Sequence, residues 1–417
     1  MSLLYRNQPG LLREKFQRAS QCMATRRDII SSWRKHMPVS PLEGIRILDL
    51  SRLLPGPYLT QLLADLGAEV IKIETPRLGD YARMAPPEMG LGGLFETINR
   101  GKKSVAINYR NPRGREVFMK LCTTADVILE GFKPGSVKKW GIDFKAVRAV
   151  KPDIVYCALS GYGQIGPYHD RAGHDLNYLA LGGALALNAL PGKAPVPFGL
   201  PAADLAGGML AAIAILAGLN GRSRTGQGLY LDMALMDGVL SWMTPLASAA
   251  YFSGIEVSAG RLPLLGGLPC FNIYQTADGK YLTLAALEPT FWSDFCKVTS
   301  RADLLASQFD RMIGEEVAAV FQQRSRDEWL QAFTGTDGCV EPVNSFEEML
   351  VHPQIRARGY VREVEGKPAG MNTPFVFARG EERPAPKLGE HTRLVLSDIG
   401  MSKREIKALV KQGILGI

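Results

Sequence analysis

Short apolar runs alternate with helical patterns over the first half of the chain. Each run has the length of a strand and is bounded by polar or turn-forming residues. Leucines at helical spacing predict a helix over 58–66, and a second helical pattern covers 113–123. This alternation predicts an α/β fold with a Rossmann-like parallel sheet that has helices on both faces. The predicted strands are 45–50, 69–74, 126–130, 153–158 and 229–233.

The turn after the first predicted strand lacks the glycine pattern of a dinucleotide site. It reads Ser51-Arg-Leu-Leu-Pro-Gly-Pro57. The pyrophosphate of a nicotinamide or flavin cofactor is held by Gly-x-Gly-x-x-Gly at this position. The sequence therefore argues against a nicotinamide or flavin dehydrogenase.

The second half of the chain predicts a smaller α+β domain. It opens with the pattern of a hairpin, at 270–274 and 281–284, and continues with helical patterns. A stretch rich in Gly, Pro and Leu precedes it, and a helix is predicted near the C-terminus over 403–412. The predicted parts are an N-terminal arm (1–40), a large domain (41–245, completed by 375–417), a linker (246–269) and a small domain (270–374).

Composition and cysteine spacing exclude several classes of protein. With 46% hydrophobic residues in 417 and a mean hydropathy of −0.02, the chain is neither collagen-like nor disordered. Its 6 cysteines lie far apart without a metal-binding spacing, so we expect no metal site, no disulfide framework and reduced thiols. The longest apolar run, 205–219, is shorter than the ~20 residues that cross a bilayer, and we expect no integral membrane contact.

The positive charge is concentrated in the N-terminal arm. Residues 1–40 hold eight Lys and Arg but only Glu14 and Asp28, so +6 of the net charge of +8 lies there. A nucleic-acid binder would spread such charge over a folded face, and we expect no nucleic-acid partner. We interpret the arm as a surface extension of a cytoplasmic protein. Its Arg-rich, acid-poor composition also fits an organelle transit peptide, which would place the protein in an organelle matrix.

Basic residues beside glycines are candidates for binding phosphate groups. Guanidinium and ammonium groups neutralise phosphates without a glycine-rich loop. The alternative is that each of these residues lies in a solvated basic turn. The candidates are Arg100, Lys102, Lys103, Ser104, Arg110 and Lys133.

Three further residues are candidates for acid–base or nucleophilic chemistry. His174 opens an apolar helical run, where the positive end of the helix dipole disfavours imidazolium. Asp204 also stands at the start of an apolar helix, flanked by Ala and Gly that leave room for a ligand. Glu288 follows an apolar strand. The alternatives are a packed histidine with Asp175 as a helix N-cap, an N-capping Asp204, and a glutamate that ends a strand.

From about Pro41 onward the chain resembles the CaiB/BaiF-type superfamily, which contains the class III CoA-transferases and the α-methylacyl-CoA racemases. The likeness is carried by several separate motifs that together are highly specific. They are 42–50 (LEGIRILDL), 63–74 (LADLGAEVIKIE), 99–104 (NRGKKS), 130–135 (EGFKPG), 160–163 (SGYG) and 225–228 (TGQG).

The resemblance implies a Rossmann-like large domain, a small domain and an interlocked homodimer, with the active site between the large domain of one chain and the small domain of the other. Transferases of this kind use an aspartate nucleophile, and Asp204 occupies the matching position. Racemases add a histidine in Gly-His-Asp and a glutamate in Ile/Leu-Glu-Pro, which are His174 and Glu288 in this chain. One departure concerns the substrate pocket: racemases tend to have Asp before a paired Gly, where this chain has Leu265.

The expected activity is that of an acyl-CoA epimerase acting on a 2-methylacyl thioester. His174, oriented by Glu288, and Asp204 would exchange the α-proton on opposite faces, while backbone N–H groups at a helix start stabilise the enolate. Two alternatives stay open. One is a class III CoA-transferase, in which Asp204 forms an aspartyl–acyl anhydride. The other is a non-catalytic CoA-binding scaffold.

Coenzyme A is expected only as part of the substrate, with no tightly bound cofactor. The six basic-segment candidates would surround its phosphates, and the acyl group stays open.

Overall fold

The computed structural model describes residues 40–85, 93–364, 367–375 and 384–417. The N-terminal arm, apart from Ser40, lies outside the described residues, so the predictions about it stay predictions. The described chain forms two compact units. The larger contains the described residues up to Leu179 together with Leu200–Leu240 and Leu350–Ile417. The smaller contains Ala180–Gly199 and Ser241–Met349.

Twelve strands and seventeen helices lie among the described residues of the two units, and strands alternate with helices along the larger unit. The strands are β1 (Arg46–Asp49), β2 (Glu69–Glu74), β3 (Lys103–Ile107), β4 (Val127–Glu130), β5 (Val155–Ser160), β6 (Leu229–Ala234), β7 (Phe271–Gln275), β8 (Tyr281–Ala285), β9 (Val340–Pro342), β10 (Val361–Val364), β11 (Lys367–Met371) and β12 (Leu415–Gly416). The helices are α1 (Pro55–Asp65), α2 (Leu94–Ile98), α3 (Pro112–Cys122), α4 (Ser136–Trp140), α5 (Phe144–Val150), α6 (Asp175–Leu181), α7 (Ala184–Leu187), α8 (Ala202–Thr225), α9 (Leu235–Trp242), α10 (Thr244–Ser253), α11 (Pro289–Val298), α12 (Gly314–Phe321), α13 (Arg326–Ala332), α14 (Phe346–Val351), α15 (Pro353–Arg358), α16 (Thr392–Asp398) and α17 (Lys403–Lys411). Short 3₁₀ helices cover Tyr81–Met84, Pro263–Leu265, Ala302–Ser307 and Arg311–Ile313.

A seven-stranded sheet forms the centre of the larger unit, in the order β12-β3-β2-β1-β4-β5-β6. All neighbours pair in parallel except β12, which runs antiparallel to β3. The predicted α/β class and the parallel sheet are therefore confirmed. Strand order reverses between β1 and β4, and in open parallel sheets such a reversal opens a crevice at the carboxyl ends of the strands.

Helices α1 and α8 pack closely against each other and against the strands of the sheet. Helix α1 begins at Pro55, three residues before its predicted start, because proline with its fixed φ suits the first helical position. It packs on α8, whose Gly208 lies so close that an added Cβ would be 2.8 Å from the Pro55 carbonyl oxygen. Helix α8 is therefore held by small residues rather than by interdigitating large ones.

Among the described helices, α8 alone is long and apolar enough to cross a membrane. It has 24 residues, so the helix is longer than the predicted apolar run. Of its most apolar window, 56% is buried, and it packs against α1, β5 and β6. The buried side of the helix consists largely of Ala and Gly, whereas Met209 and Ile213 are exposed on its other side.

The smaller unit contains the predicted hairpin, formed by β7 and β8, to which β9 adds a third antiparallel strand. Its core is aromatic, with Trp292, Phe295, Phe321 and Trp329 buried together. The predicted linker 246–269 lies within this unit, and its first part belongs to α10. Gly254, in the left-handed region at φ +62°, ends that helix.

Residues 350–374, which the sequence placed in the small domain, group with the larger unit. One contact responsible is the hydrogen bond of 2.5 Å from Thr373 Oγ1 to the carboxylate of Asp65, at the end of α1.

Candidate active site

A cavity of about 330 Å³ lies at the carboxyl ends of β1, β4 and β5, where the strand order reverses. Its lining comes wholly from the larger unit. The contributing segments are 51–53 after β1, 131–134 after β4, 160–162 at the end of β5, the loop 169–174 and the start of α8. This is the position where open α/β sheets bind their ligands.

Asp204 lies in the first turn of α8, half-buried in the cavity wall. Burial and, as the smaller cause, the negative charge of Asp175 together raise the pKa of its carboxyl to about 7. A carboxyl group with a pKa near 7 is present in both protonation states at neutral pH. It can therefore accept or donate a proton during a reaction.

Asp175 caps the helix that carries Asp204. One oxygen of its carboxylate accepts hydrogen bonds from the backbone N–H groups of Ala203 (2.7 Å) and Asp204 (3.0 Å). The N-cap residue of α8, Pro201, makes no capping bond of its own, so Asp175 replaces it from another helix. The sequence suggested Asp175 as an N-cap near His174, and the structure shows that the capped helix is α8.

His174 immediately precedes α6 and lines the same cavity as Asp204. Its backbone is fixed by Asn177, whose side-chain oxygen accepts from the His174 N–H at 3.0 Å. The side chain is exposed, and no hydrogen bond to its imidazole is found among the described residues. A packed histidine, the alternative considered from the sequence, is therefore excluded.

Tyrosines hold the loop that carries His174. The hydroxyl of Tyr178 donates to the Gly173 carbonyl oxygen at 2.6 Å, and the Tyr162 ring lies edge-on to the Tyr178 ring at 5.0 Å. This packing requires glycine at position 161, because an added Cβ would lie 2.5 Å from the Tyr178 hydroxyl. The SGYG motif thus shapes the cavity wall.

Three cavity residues were missed in the sequence. Arg52 lies between the rings of Tyr81 and Phe132, at 4.8 and 5.0 Å from their centroids. His169 and Arg171 belong to the loop before His174. The available signal was their position, directly after a predicted strand for Arg52 and directly before Gly-His-Asp for the other two.

Of the six predicted phosphate-binding residues, Lys133 lines this cavity and is exposed. Arg110 is also exposed, outside the cavity lining, with its guanidinium 4.5 Å from the centroid of the Trp140 ring.

The other four predicted residues have partners within the fold, and none of them lines this cavity. Arg100 forms a buried ion pair with Asp65. Lys103 and Ser104 belong to β3, where Lys103 pairs with Glu69 and the Ser104 hydroxyl donates to Glu74 at 2.7 Å. No strand was predicted here, because the basic residues of 99–104 were interpreted as a phosphate-binding segment or a basic turn.

Lys102 is fully buried. Its amine donates to the Pro57 carbonyl (2.9 Å), Thr60 Oγ1 (2.7 Å) and Asn99 Oδ1 (2.9 Å), and lies 3.5 Å from the Asp49 carboxylate. Burial lowers the pKa of Lys102 to about 7. With every donor used inside the fold, this amine is not available to a phosphate.

A second buried lysine fixes the turn after β1. Lys72 pairs with Asp80 at 2.9 Å and donates to the Ser51 carbonyl oxygen at 2.9 Å. Asp80 also accepts from the Leu53 N–H at 3.0 Å, and Leu53 has a φ of +62°. This ion pair therefore holds a strained turn against the cavity.

Glu288 lies in the smaller unit, exposed at the start of α11, where its side chain makes no capping hydrogen bond. No group of three or more His, Cys, Asp or Glu residues suited to a metal ion occurs in the described ranges. An imidazole and a carboxyl group facing one cavity, with cations around them, are suited to proton transfer on an anionic substrate.

Replacing Asp175 by Asn should lower the pKa of Asp204 from about 7. The amide oxygen still accepts from the two N–H groups, but the negative charge that disfavours an ionised Asp204 is gone. The measurement is a carbon-13 NMR titration of the Asp204 carboxyl. Asp170→Asn is the matched control, since it removes an exposed charge from the same loop and should leave the pKa unchanged. An unchanged Asp204 titration in D175N would contradict the electrostatic role of Asp175.

Known proteins are similar to this protein over most of the chain. The model of CoA-transferase family III matches residues 42–392. Alpha-methylacyl-CoA racemase from Homo sapiens is 33% identical over 383 residues, which cover 88% of this chain and 96% of the relative. Succinyl-CoA:glutarate CoA-transferase from Mus musculus is 34% identical over 380 residues, 87% of each chain. A CAIB/BAIF family protein from Brucella suis has a similar crystal structure, with a TM-score of 0.74, 29% identity and coverage of 86% of this chain and 99% of that one. This chain therefore belongs to CoA-transferase family III, the CaiB/BaiF superfamily of CoA-transferases and racemases.

Proposed function

We propose that the protein is an acyl-CoA epimerase that inverts the α-carbon of a 2-methylacyl thioester. The observation that carries this proposal is that the imidazole of His174 and the carboxyl of Asp204 line one cavity at the ligand-binding crevice of the sheet. A CoA-transferase needs the carboxylate alone, whereas inversion of a carbon needs two proton-transferring groups.

The reaction follows from the acidity of the α-hydrogen of a thioester. One group removes the proton from Cα, and the electron pair of the C–H bond moves toward the carbonyl to give an enolate with its charge on oxygen. The other group, in its protonated state, delivers a proton to the opposite face. Each positioned acid–base group contributes about 10²–10⁴-fold to the rate.

Replacing His174 and Asp204 one at a time should show which face of the α-carbon each residue serves. His174→Gln and Asp204→Asn should each reduce inversion by about 10²–10⁴-fold. Each variant should still exchange the α-hydrogen of one epimer with D₂O, namely the epimer whose α-hydrogen faces the remaining base. The epimer that still exchanges should therefore be different in the two variants. The measurement is mass spectrometry of the separate R and S thioesters.

Affinity for CoA, measured by calorimetry, serves as the control for folding and should survive in both variants. Wild-type exchange of both epimers in both variants would contradict the two-base assignment.

The second candidate is an acyl-CoA:carboxylate CoA-transferase, favoured by the relatives named as transferases and by the carboxyl group of Asp204 in the cavity. In this reaction the Asp204 carboxylate attacks the thioester carbonyl, CoA thiolate leaves, and an aspartyl–acyl anhydride forms. CoA thiolate next attacks the Asp204 carbonyl, which releases the donor acid and leaves an aspartyl–CoA thioester. The acceptor carboxylate attacks this thioester and expels CoA thiolate, and the thiolate then attacks the acceptor carbonyl of the new anhydride, giving the acceptor thioester and free Asp204.

Hydroxylamine distinguishes the two candidates because it traps an anhydride as a hydroxamate. Under the epimerase proposal, wild-type protein incubated with the acyl-CoA and hydroxylamine stays unmodified at Asp204, and addition of a dicarboxylic acceptor produces no new CoA ester. A hydroxamate at Asp204, found by peptide mass spectrometry and absent from Asp204→Asn, would instead establish the transferase.

Lys133 and Arg52 are proposed to bind the phosphates of coenzyme A at the mouth of the cavity. Both line it, and neither has a carboxylate partner among the described residues. Cations in this state attract anionic ligands without first breaking an ion pair. The remaining assignments rest on the family resemblance and stay proposals: Glu288 as a catalytic residue, a homodimer, a cytoplasmic location, and CoA as substrate without a tightly bound cofactor.

Charge reversal at Lys133 should weaken binding without affecting the fold. Lys133→Glu is expected to raise the Kd for free CoA at least tenfold and to reduce its dependence on salt, with an unchanged free energy of unfolding, because the side chain is exposed. Lys102→Met is the matched control. It removes a buried amine with four partners, so it should lower the free energy of unfolding by about 3 kcal/mol.

Calorimetric titration and denaturant unfolding measure the two quantities. Unchanged affinity in K133E would remove the proposed phosphate contact.

A further inference from the structure

Ser160 ends β5 and lines the cavity that holds His174 and Asp204. The residue is only 7% exposed, and its Oγ is buried without a hydrogen-bond partner among the described residues. Leaving a buried hydroxyl unpaired costs about 1–3 kcal/mol of folding free energy. We therefore expect the Ser160 hydroxyl to form a hydrogen bond with a bound ligand.

Two other hydroxyl groups of the cavity, those of Ser51 and Tyr178, are already used within the fold. Ser51 donates its hydroxyl hydrogen to the Asp49 carboxylate. Tyr178 donates to the Gly173 carbonyl oxygen at 2.6 Å. Ser160 differs from both because its donor is not committed to a protein acceptor.

Three backbone N–H groups at the start of α8 are also occupied. The sequence suggested that N–H groups at a helix start stabilise the enolate oxygen. At α8, however, those of Ala203 and Asp204 donate to Asp175, and that of Leu205 donates to the Pro201 carbonyl at 3.1 Å. The developing negative charge on the substrate therefore needs a donor other than these three N–H groups.

We infer that the Ser160 hydroxyl donates a hydrogen bond to the carbonyl oxygen of the bound thioester. The inference rests on the proposed function, since it requires a thioester between His174 and Asp204. Removal of the α-proton puts negative charge on that oxygen, and so does attack of the Asp204 carboxylate on the carbonyl carbon. A donor held in place before the reaction stabilises either charge without reorganisation. Ser160 keeps its proton throughout and is regenerated with each turnover.

Ser160→Ala tests the inference. The α-hydrogen exchange of the R and S epimers of a 2-methylacyl-CoA should slow by about 10²–10³-fold in kcat, the effect of removing one such donor, with little change in KM. The free energy of unfolding should stay the same or rise, because the lost hydroxyl has no protein partner. A residue with a merely structural role would change stability and leave kcat unaltered.

Thr392→Val is the matched control. The Thr392 hydroxyl is buried, accepts from the Ala106 N–H at 3.1 Å and lies outside the cavity lining. This variant should show the opposite pattern, with reduced stability and full activity.

Exchange at the wild-type rate in the Ser160→Ala variant would overturn the inference. Asp204→Asn separates this result from failure of the proposed function. If Asp204→Asn slows the reaction but Ser160→Ala does not, only the serine assignment is lost. If the wild-type protein transfers CoA instead of exchanging hydrogen, the same loss in kcat is expected for transfer, because the tetrahedral oxyanion needs the same donor. A transfer rate that Ser160→Ala leaves unchanged would equally overturn it.

Discussion

The hydrogen bonds from the start of α8 to the Asp175 carboxylate are the interaction on which the site depends. A helix leaves its first N–H groups unpaired, and α8, which begins after a proline, has no side chain of its own to satisfy them. Asp175 supplies that acceptor from α6. The same bonds fix His174, one residue before Asp175, relative to Asp204, one of the capped residues. The need to cap the N-terminus of α8 thus determines how far apart His174 and Asp204 lie.

The sheet determines where this pair meets a ligand. Strands β1 and β4 are neighbours in the sheet but distant in sequence. The chain therefore leaves their carboxyl ends in opposite directions, and the loops that follow the strands line the cavity between them. One of these loops is held by the buried Lys72–Asp80 pair, in which lysine also bonds the Ser51 carbonyl. Lys102, which the sequence analysis proposed as a phosphate ligand, is also buried and donates to Pro57 and Thr60 in the helix that follows this turn.

The sequence predicted elements whose signals are local, and it failed where the decisive partner is distant. Strand β2 was predicted to the residue because the short run 69–74 contains three β-branched apolar residues and is bounded by charged ones. Strand β3 was missed because Lys102 and Lys103 give it the appearance of a basic turn. No pattern in the sequence reveals that Thr60 and Asn99 surround the Lys102 amine. The proximity of His174 and Asp204 to one cavity followed from family motifs, whereas the capping role of Asp175 needed coordinates.

The protonation of Asp204 bears on which reaction the site favours. A nucleophilic carboxylate must be ionised, and burial beside Asp175, which raises its pKa to about 7, lowers the ionised fraction at neutral pH. A group that must alternate between acid and base gains from the same shift, since proton transfer is most efficient when the pKa lies near the working pH. The Asp175 charge, which would be a disadvantage to a nucleophile, therefore suits a proton shuttle. An exposed imidazole that has no partner among the described residues completes the pair of groups that the proposed inversion at the α-carbon requires.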